Sequence, residues 1–101
     1  MTVTWTRTAK GHLRSIHDYI ATDSPRQAQR FVDRLTRRVG RLTKYPRLGP
    51  MVDEYQDESI RELLHGMYRI IYRVVPSRID ILAVVHGAML LPPDLSPEDA
   101  P

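Results

Sequence analysis

Apolar residues recur along this chain with two different periods, and the change from one to the other divides it. Val3 and Trp5 alternate with Thr2 and Thr4, the two-residue period of a short strand from Val3 to Trp5. Ala9, Leu13, Ile16 and Ile20 then recur at spacings of four, three and four, which puts them on one stripe of a helix from about Arg7 to Ala21. Gly11 lies inside that helix and costs about 1 kcal/mol relative to alanine, so packing rather than propensity must hold it. Asp23-Ser24-Pro25 breaks the chain and starts a second helix, with Ser24 as N-cap, Pro25 at the first helical position and Gln27 where a capping box places it. Ala28, Phe31, Val32, Leu35, Val39 and Leu42 form its apolar stripe, which runs to near Tyr45 because Pro46 cannot extend it. Arg30, Arg34, Arg37, Arg38, Arg41 and Lys44 take the remaining faces.

From Pro46 to Asp57 the sequence P-R-L-G-P followed by acids predicts a loop. Beyond it the period becomes two. Ser59–Leu64, Tyr68–Val75 and Ile79–Val85 read as three strands of an antiparallel meander, joined by His65-Gly66 and Pro76-Ser77. The order of elements predicts an α+β fold: an N-terminal strand and a two-helix hairpin packed on a small antiparallel sheet. One domain spans residues 1–91, and the proline-rich, acidic tail from Pro92 to Pro101 is expected to be extended or disordered.

A two- or four-residue loop around Pro76-Ser77 pairs Arg73 with Asp80, Ile71 with Leu82 and Arg69 with Val84, and sets His86 diagonal to Arg69. Tyr68, Ile70, Tyr72 and Val74 then meet Ile79, Ile81, Ala83 and Val85 on the opposite face, an almost wholly apolar set that the helices must cover. The other face carries Arg69, Arg73 and His86 among Ile71, Leu82 and Val84, a mixture unsuited to a packed core. An uncovered sheet face bearing cations is a candidate binding surface.

Charge sharpens that expectation. The 101 residues carry a net charge of +3, but residues 1–50 contribute +8 and residues 51–101 contribute −5. Such an asymmetry hints at polyanion binding, because a clustered positive face attracts phosphates over about one Debye length, roughly 8–10 Å. The same arginines would also suit an acidic protein partner, or simply solvate a helix surface. With 42% apolar and 27% charged residues the composition fits one small globular domain whose thin stability a partner would raise. The absence of cysteine excludes disulfides, thiolate nucleophiles and Cys-ligated zinc. No apolar run reaches membrane-spanning length and no signal segment opens the chain, so a soluble, cytoplasmic protein is expected.

The candidate chemistry is sparse. Arg73 facing Asp80 fits a structural ion pair as well as a ligand site, whereas Arg69 has no predicted partner. His12 and His17 stand five apart on different helix faces, and no histidine has companions at ligand spacing, so no metal site is expected. Neither a phosphate-cradling glycine loop, nor a nucleophile elbow, nor a carboxylate pair is present, and no cofactor is implied.

W-T-R-T-A near the start, Y-I-A-T-D-S-P-R-Q-A between the helices, Y-P-R-L-G-P after them, then I-R-E-L, Y-R-I-I-Y-R-V and V-V-H-G occur in an order and spacing that resembles the RelE/ParE superfamily of toxins, the ParE branch more than the RelE branch. The resemblance implies the toxin of a bacterial type II toxin-antitoxin system of plasmid-stabilisation type, growth-inhibiting and neutralised by a cognate antitoxin whose disordered segment wraps it. A homodimer, or a heterotetramer with the antitoxin, would fit. ParE-like members inhibit DNA gyrase, while RelE-like members cleave messenger RNA on the ribosome without metal.

Metal-free RNA cleavage needs a base for the 2′-hydroxyl, cations for the phosphate and an acid for the leaving oxygen. The resemblance places Arg61 and Arg69 at phosphate-holding arginine positions and His86 at a histidine used by some ribonuclease relatives; with Arg73 these form the candidate site for target, phosphate or antitoxin. The chain departs from the ribonuclease pattern in the acidic run Asp53 to Glu58 and in Met89-Leu90-Leu91-Pro92 after His86-Gly87. Gyrase inhibition is therefore the expected activity, with ribosome-dependent mRNA cleavage the alternative and a plain interaction module the third reading.

Overall fold

Thr6 decides where the first strand stops and the first helix begins. Its backbone is extended and its hydroxyl accepts the Ala9 N–H, so it caps α1 (Arg7–Ala21) immediately after β1 (Thr2–Trp5). The structure, a computed structural model, describes residues 1–92, and the tail expected over 92–101 lies, Pro92 apart, outside them. Ser24 Oγ accepts the Gln27 N–H with Pro25 at the first position, starting α2 (Pro25–Gly40) as the sequence predicts. Regular helix ends earlier than expected, at Gly40, and a 3-10 turn over Arg41–Thr43 carries the chain on towards Pro46.

β2 (Ile60–His65), β3 (Tyr68–Val74) and β4 (Arg78–His86) form the meander. The β2–β3 turn is Gly66-Met67 rather than His65-Gly66, with Gly66 in the left-handed conformation at φ +59° and His65 kept in the ladder opposite Tyr68. The sheet order is β1-β4-β3-β2, and β1 lies parallel to β4, so the sheet is mixed rather than wholly antiparallel. The two helices and the strands β2 and β3, which lie between β1 and β4 in the chain, give it the length it needs to bring β4 back alongside β1 in parallel.

The expected register between β3 and β4 holds for only half their length. Tyr72, Arg73 and Val74 face Ile81, Asp80 and Ile79 as predicted, but a bulge then shifts Ile71 to Ala83, Ile70 to Val84 and Tyr68 to His86. The extra residue is Leu82. It changes which side chains point to which face, because side chains alternate along a strand and one added residue inverts the alternation. Val84, expected on the open face, packs instead with Ile70, Tyr72, Ile79 and Ile81 beneath Leu35, Val39 and Leu42 of the helical layer. Ala83 and Val85, expected under the helices, lie on the other face with Leu82, Ile71 and Ile60.

α1 continues the work of β1 along the free half of β4. Thr6 N–H and Oγ1 both donate to the Ile81 carbonyl, at 3.1 and 2.7 Å, and Oγ1 also lies 3.3 Å from the Leu82 carbonyl. Carbonyls alternate in direction along a regular strand, so the bulge is what brings both within reach of one hydroxyl. Two residues further, the Val84 N–H donates to His12 Nδ1 at 3.1 Å. That bond requires a neutral imidazole, and burial holds the His12 pKa below its ordinary 6.5. Folded His12 binds its proton more weakly than unfolded His12, so its contribution is complete above about pH 6.5 and is lost as pH falls through the lowered value. Urea midpoints are expected to drop between about pH 7 and pH 5 and to drop less in His12→Gln. The remaining slope would belong to His65, whose pKa is also lowered, by burial and then by Arg38 and Arg34.

Candidate functional site

The cationic sheet face expected from the sequence is covered. Beyond the helical turn, the Glu62 N–H donates to the Pro50 carbonyl and the Val52 N–H to the Ile60 carbonyl, so residues 50–52 run along the outer edge of β2. Val52 is fully buried, and with Tyr55 and Leu91 it closes a second apolar cluster over Ile60, Ile71, Leu82, Ala83 and Val85. Tyr55 donates to the Pro92 carbonyl at 2.6 Å, which ties this loop to the end of the described chain.

Arg69 stands on that face in a cage of carboxylates. Glu62 takes its Nε and Nη2 at 2.7 and 3.0 Å, and Glu54 takes Nη1 and Nη2 at 2.8 and 3.1 Å. Two bidentate pairs use every guanidinium nitrogen, leaving the Arg69 side chain 12% exposed. The two carboxylates hold the Arg69 pKa well above its usual value, and Arg69 in turn lowers that of Glu54, chiefly by hydrogen bonding. The expectation that Arg69 lacks a partner fails because Glu62 reaches it from β2 and the acidic loop, read only as a departure from a ribonuclease pattern, folds back over it.

Arg73 does face Asp80 across the ladder, yet they do not form the expected pair. Arg78, two residues earlier on the same strand, reaches the fully buried Asp80 carboxylate at 2.8 Å, while Arg73 approaches Asp57 at 4.0 Å and its Nε is buried without a partner. Asp57 is itself held by the N–H and hydroxyl of Ser59, which lower its pKa.

Arg61 and His86 lie on the helical side instead. Arg61 pairs with Tyr72 in the ladder, and its Nη1 donates to the Gly49 carbonyl at 2.9 Å. Gly49 donates back to the buried Tyr72 hydroxyl at 2.9 Å, and a Cβ there would collide with the Glu62 carbonyl oxygen. The glycine of Y-P-R-L-G-P is thus needed for close approach of loop and strand. His86 pairs with Tyr68, its ring edge-on at 5.8 Å, with Phe31 next to Tyr68 at 5.5 Å and His65 beyond Phe31 at 5.4 Å. The bulge puts His86 on the face opposite Arg69, so the four candidates do not converge.

The densest run of open cations is on α2 and the 3-10 turn that follows it, residues outside the four-residue candidate site. Arg30, Arg34, Arg37, Arg38 and Arg41 are exposed and, among the described residues, none has a carboxylate within ion-pair distance, in contrast to Arg69, Arg73 and Arg78. Two grooves have apolar floors and basic rims. One of about 570 Å³ lies on the helical hairpin, with Trp5, Leu13 and Val32 beside Lys10 and Arg14. Another of about 770 Å³ sets Tyr45, Leu48 and Val74 beside Lys44 and Arg47. Among the described residues, no cluster of three or more His, Cys, Asp or Glu could hold a metal, and no helix is long and apolar enough to cross a membrane.

The family model described as the ParE toxin of type II toxin-antitoxin system, parDE, matches residues 3–91. The chain is 35% identical over 89 residues to Toxin RelE2 of Caulobacter vibrioides, covering 87% of this chain and 97% of that protein. In three dimensions it resembles a chain of the chromosomal ParDE TA system from P. aeruginosa with a TM-score of 0.71 at 25% identity, over 85% of this chain and 95% of that one. By sequence match and by fold, the chain belongs to the ParE toxins of type II toxin-antitoxin systems, within the RelE/ParE superfamily.

Proposed function

We propose that this toxin is a single cytoplasmic domain neutralised by a cognate antitoxin, and that it arrests growth by inhibiting DNA gyrase rather than by cutting messenger RNA. The separation of the candidate catalytic groups carries this reading. A metal-free ribonuclease must bring a base, an acid and phosphate-binding cations to one phosphodiester. Here both carboxylates around Arg69 already satisfy its guanidinium, His86 lies on the opposite face, and Arg61 is committed to the Gly49 carbonyl. An incoming phosphate would have to displace Glu54 and Glu62, whose negative charge repels it.

The antitoxin follows from the family, since a ParE toxin of a parDE system has a partner, and the two grooves support the kind of segment it presents. Apolar floors with basic rims suit an acidic, amphipathic peptide that orders on binding. The name of the Caulobacter relative favours the second reading, ribosome-dependent cleavage of mRNA.

Purified gyrase and translating ribosomes separate the two. Supercoiling by gyrase is expected to stop at excess toxin and to resume when antitoxin is added, with message intact in arrested cells. Unchanged supercoiling would reject the gyrase reading, and codon-linked cuts that vanish in Arg69→Ala would establish the other.

A further inference from the structure

The helix arginines left unpaired form a surface of a different character from the two grooves. At 3.6 residues per turn, Arg30, Arg34 and Arg37 fall within an arc of about 60° on the flank of α2. Arg34, Arg37, Arg38 and Arg41 together with His65 of β2 line one open depression of about 330 Å³ that contains no aliphatic or aromatic hydrocarbon side chain. Like charges on successive turns of a helix repel one another, and among the described residues no carboxylate lies within ion-pair distance of these arginines, Asp33 one turn from Arg30 and Arg37 being held by Gln29. The positive field is strong enough that Arg38 and Arg34 add to burial in lowering the His65 pKa.

We propose that this stripe is a docking surface for the phosphodiester backbone of a nucleic acid. Charge complementarity selects that occupant over an acidic protein segment. A peptide helix or strand anchors by burying apolar side chains; the depression between Arg34, Arg37, Arg38 and Arg41 has none of its own, with Ile20 and Phe31 lying beyond Arg34 and Leu48, Leu63 and Leu64 beyond Arg41, whereas the two larger grooves are floored with them. Backbone binding to nucleic acid needs only cations in a row, and arginine forks match phosphate oxygens bidentately. Contacts of this kind go to phosphate oxygens and carry no base sequence information of their own. The proposal does not depend on the target: gyrase and the ribosome both hold nucleic acid, and a second anchorage there would raise the local concentration of toxin at either.

The test is a salt titration with the full chain, free of antitoxin, against a labelled random-sequence DNA duplex and a single-stranded RNA of equal length. Log affinity is expected to fall linearly with log salt for one or both. The variant R34Q/R37Q/R41Q is expected to flatten that slope by about 2 to 3 and to weaken binding at low salt on the order of tenfold or more. All three residues are exposed, so circular dichroism and the urea midpoint should match the parent protein. The charge-matched variant R7Q/K10Q/R14Q on α1 is expected to retain most of the slope. Duplex and single strand losing affinity together, or only one doing so, both support the stripe and say which polymer it takes. Absence of binding to either at low salt would overturn the proposal. So would equal loss in the α1 variant, which would make net charge the cause, or displacement by polyglutamate as readily as by nucleic acid of the same charge.

Discussion

Gly49→Ala is expected to cost the protein about 3 kcal/mol, at the upper end of what forcing an added methyl group into a packed interior does. The added Cβ meets the main-chain carbonyl of Glu62, which is not the end of a flexible side chain and cannot swing aside. Moving the loop away instead would break three contacts together: Gly49 N–H to Tyr72 Oη, Arg61 to the Gly49 carbonyl, and the bond from Glu62 N–H to Pro50. Tyr72 is fully buried, so its hydroxyl would then lack a partner in the interior. Urea unfolding monitored by circular dichroism reads the loss directly, and a midpoint within experimental scatter of the parent would show that the loop yields freely. Because Glu62 is also one wall of the Arg69 cage, the same substitution should raise the exposure of Arg69 to proteolysis or chemical modification.

Thr6→Val has the second-largest expected effect, a loss of about 2 to 3 kcal/mol with almost no change in shape. The hydroxyl serves two ends at once, accepting from Ala9 N–H as the cap of α1 and donating to the Ile81 carbonyl of β4. Removal of a cap costs about 1 kcal/mol, and the Ile81 carbonyl, which keeps the Thr6 N–H but loses the shorter bond from the hydroxyl, adds about 1–1.5 kcal/mol. Thr6→Ser keeps the hydroxyl and should recover most of the difference, which separates the hydrogen bonds from the packing of the methyl group. A parent-like midpoint in the valine variant with a loss in the serine variant would show that the methyl, not the hydroxyl, matters.

The elements were legible because their signals are local. Ser24-Pro25 starts α2 and the change of period at Ser59 separates helices from strands, and each is visible within a few residues, whereas the end of α2 at Gly40 falls short of the stop that Pro46 marks. The even length of the loop around Pro76-Ser77, read as two or four residues, was legible too, and the first three pairs of β3 with β4 follow from it. Leu82 was not. Its bulge answers to Thr6 and His12, some 75 residues away in sequence, and no pattern within β4 marks it. From that one residue came the misassignment of Val84, Ala83, Val85 and His86 to the wrong faces.

The site failed for a related reason. Arg69 and Arg73 were correctly separated from the helix-covered face, but of the two partners of Arg69 one, Glu62, comes from the neighbouring strand β2 and the other, Glu54, from a loop whose path cannot be read from its composition. Asp53 to Glu58 was read as a departure from a ribonuclease pattern, and Glu54 of that run is, with Glu62, the group that neutralises Arg69. Charge that was counted as open on the sheet is internal, while the helix arginines, which the same count includes, remain outside.

The closing of β4 by α1 also bears on how these chains behave when crowded. A sheet border with free main-chain donors and acceptors invites another strand to add and the assembly to polymerise. Here residues 50–52 occupy the border at β2, and the Thr6 hydroxyl and His12 imidazole occupy the upper half of β4. What stays exposed is β1, four residues long, too short a template to propagate a stack of copies. Protonating His12 would unplug part of that border, so acid should promote clumping of the protein before it promotes unfolding.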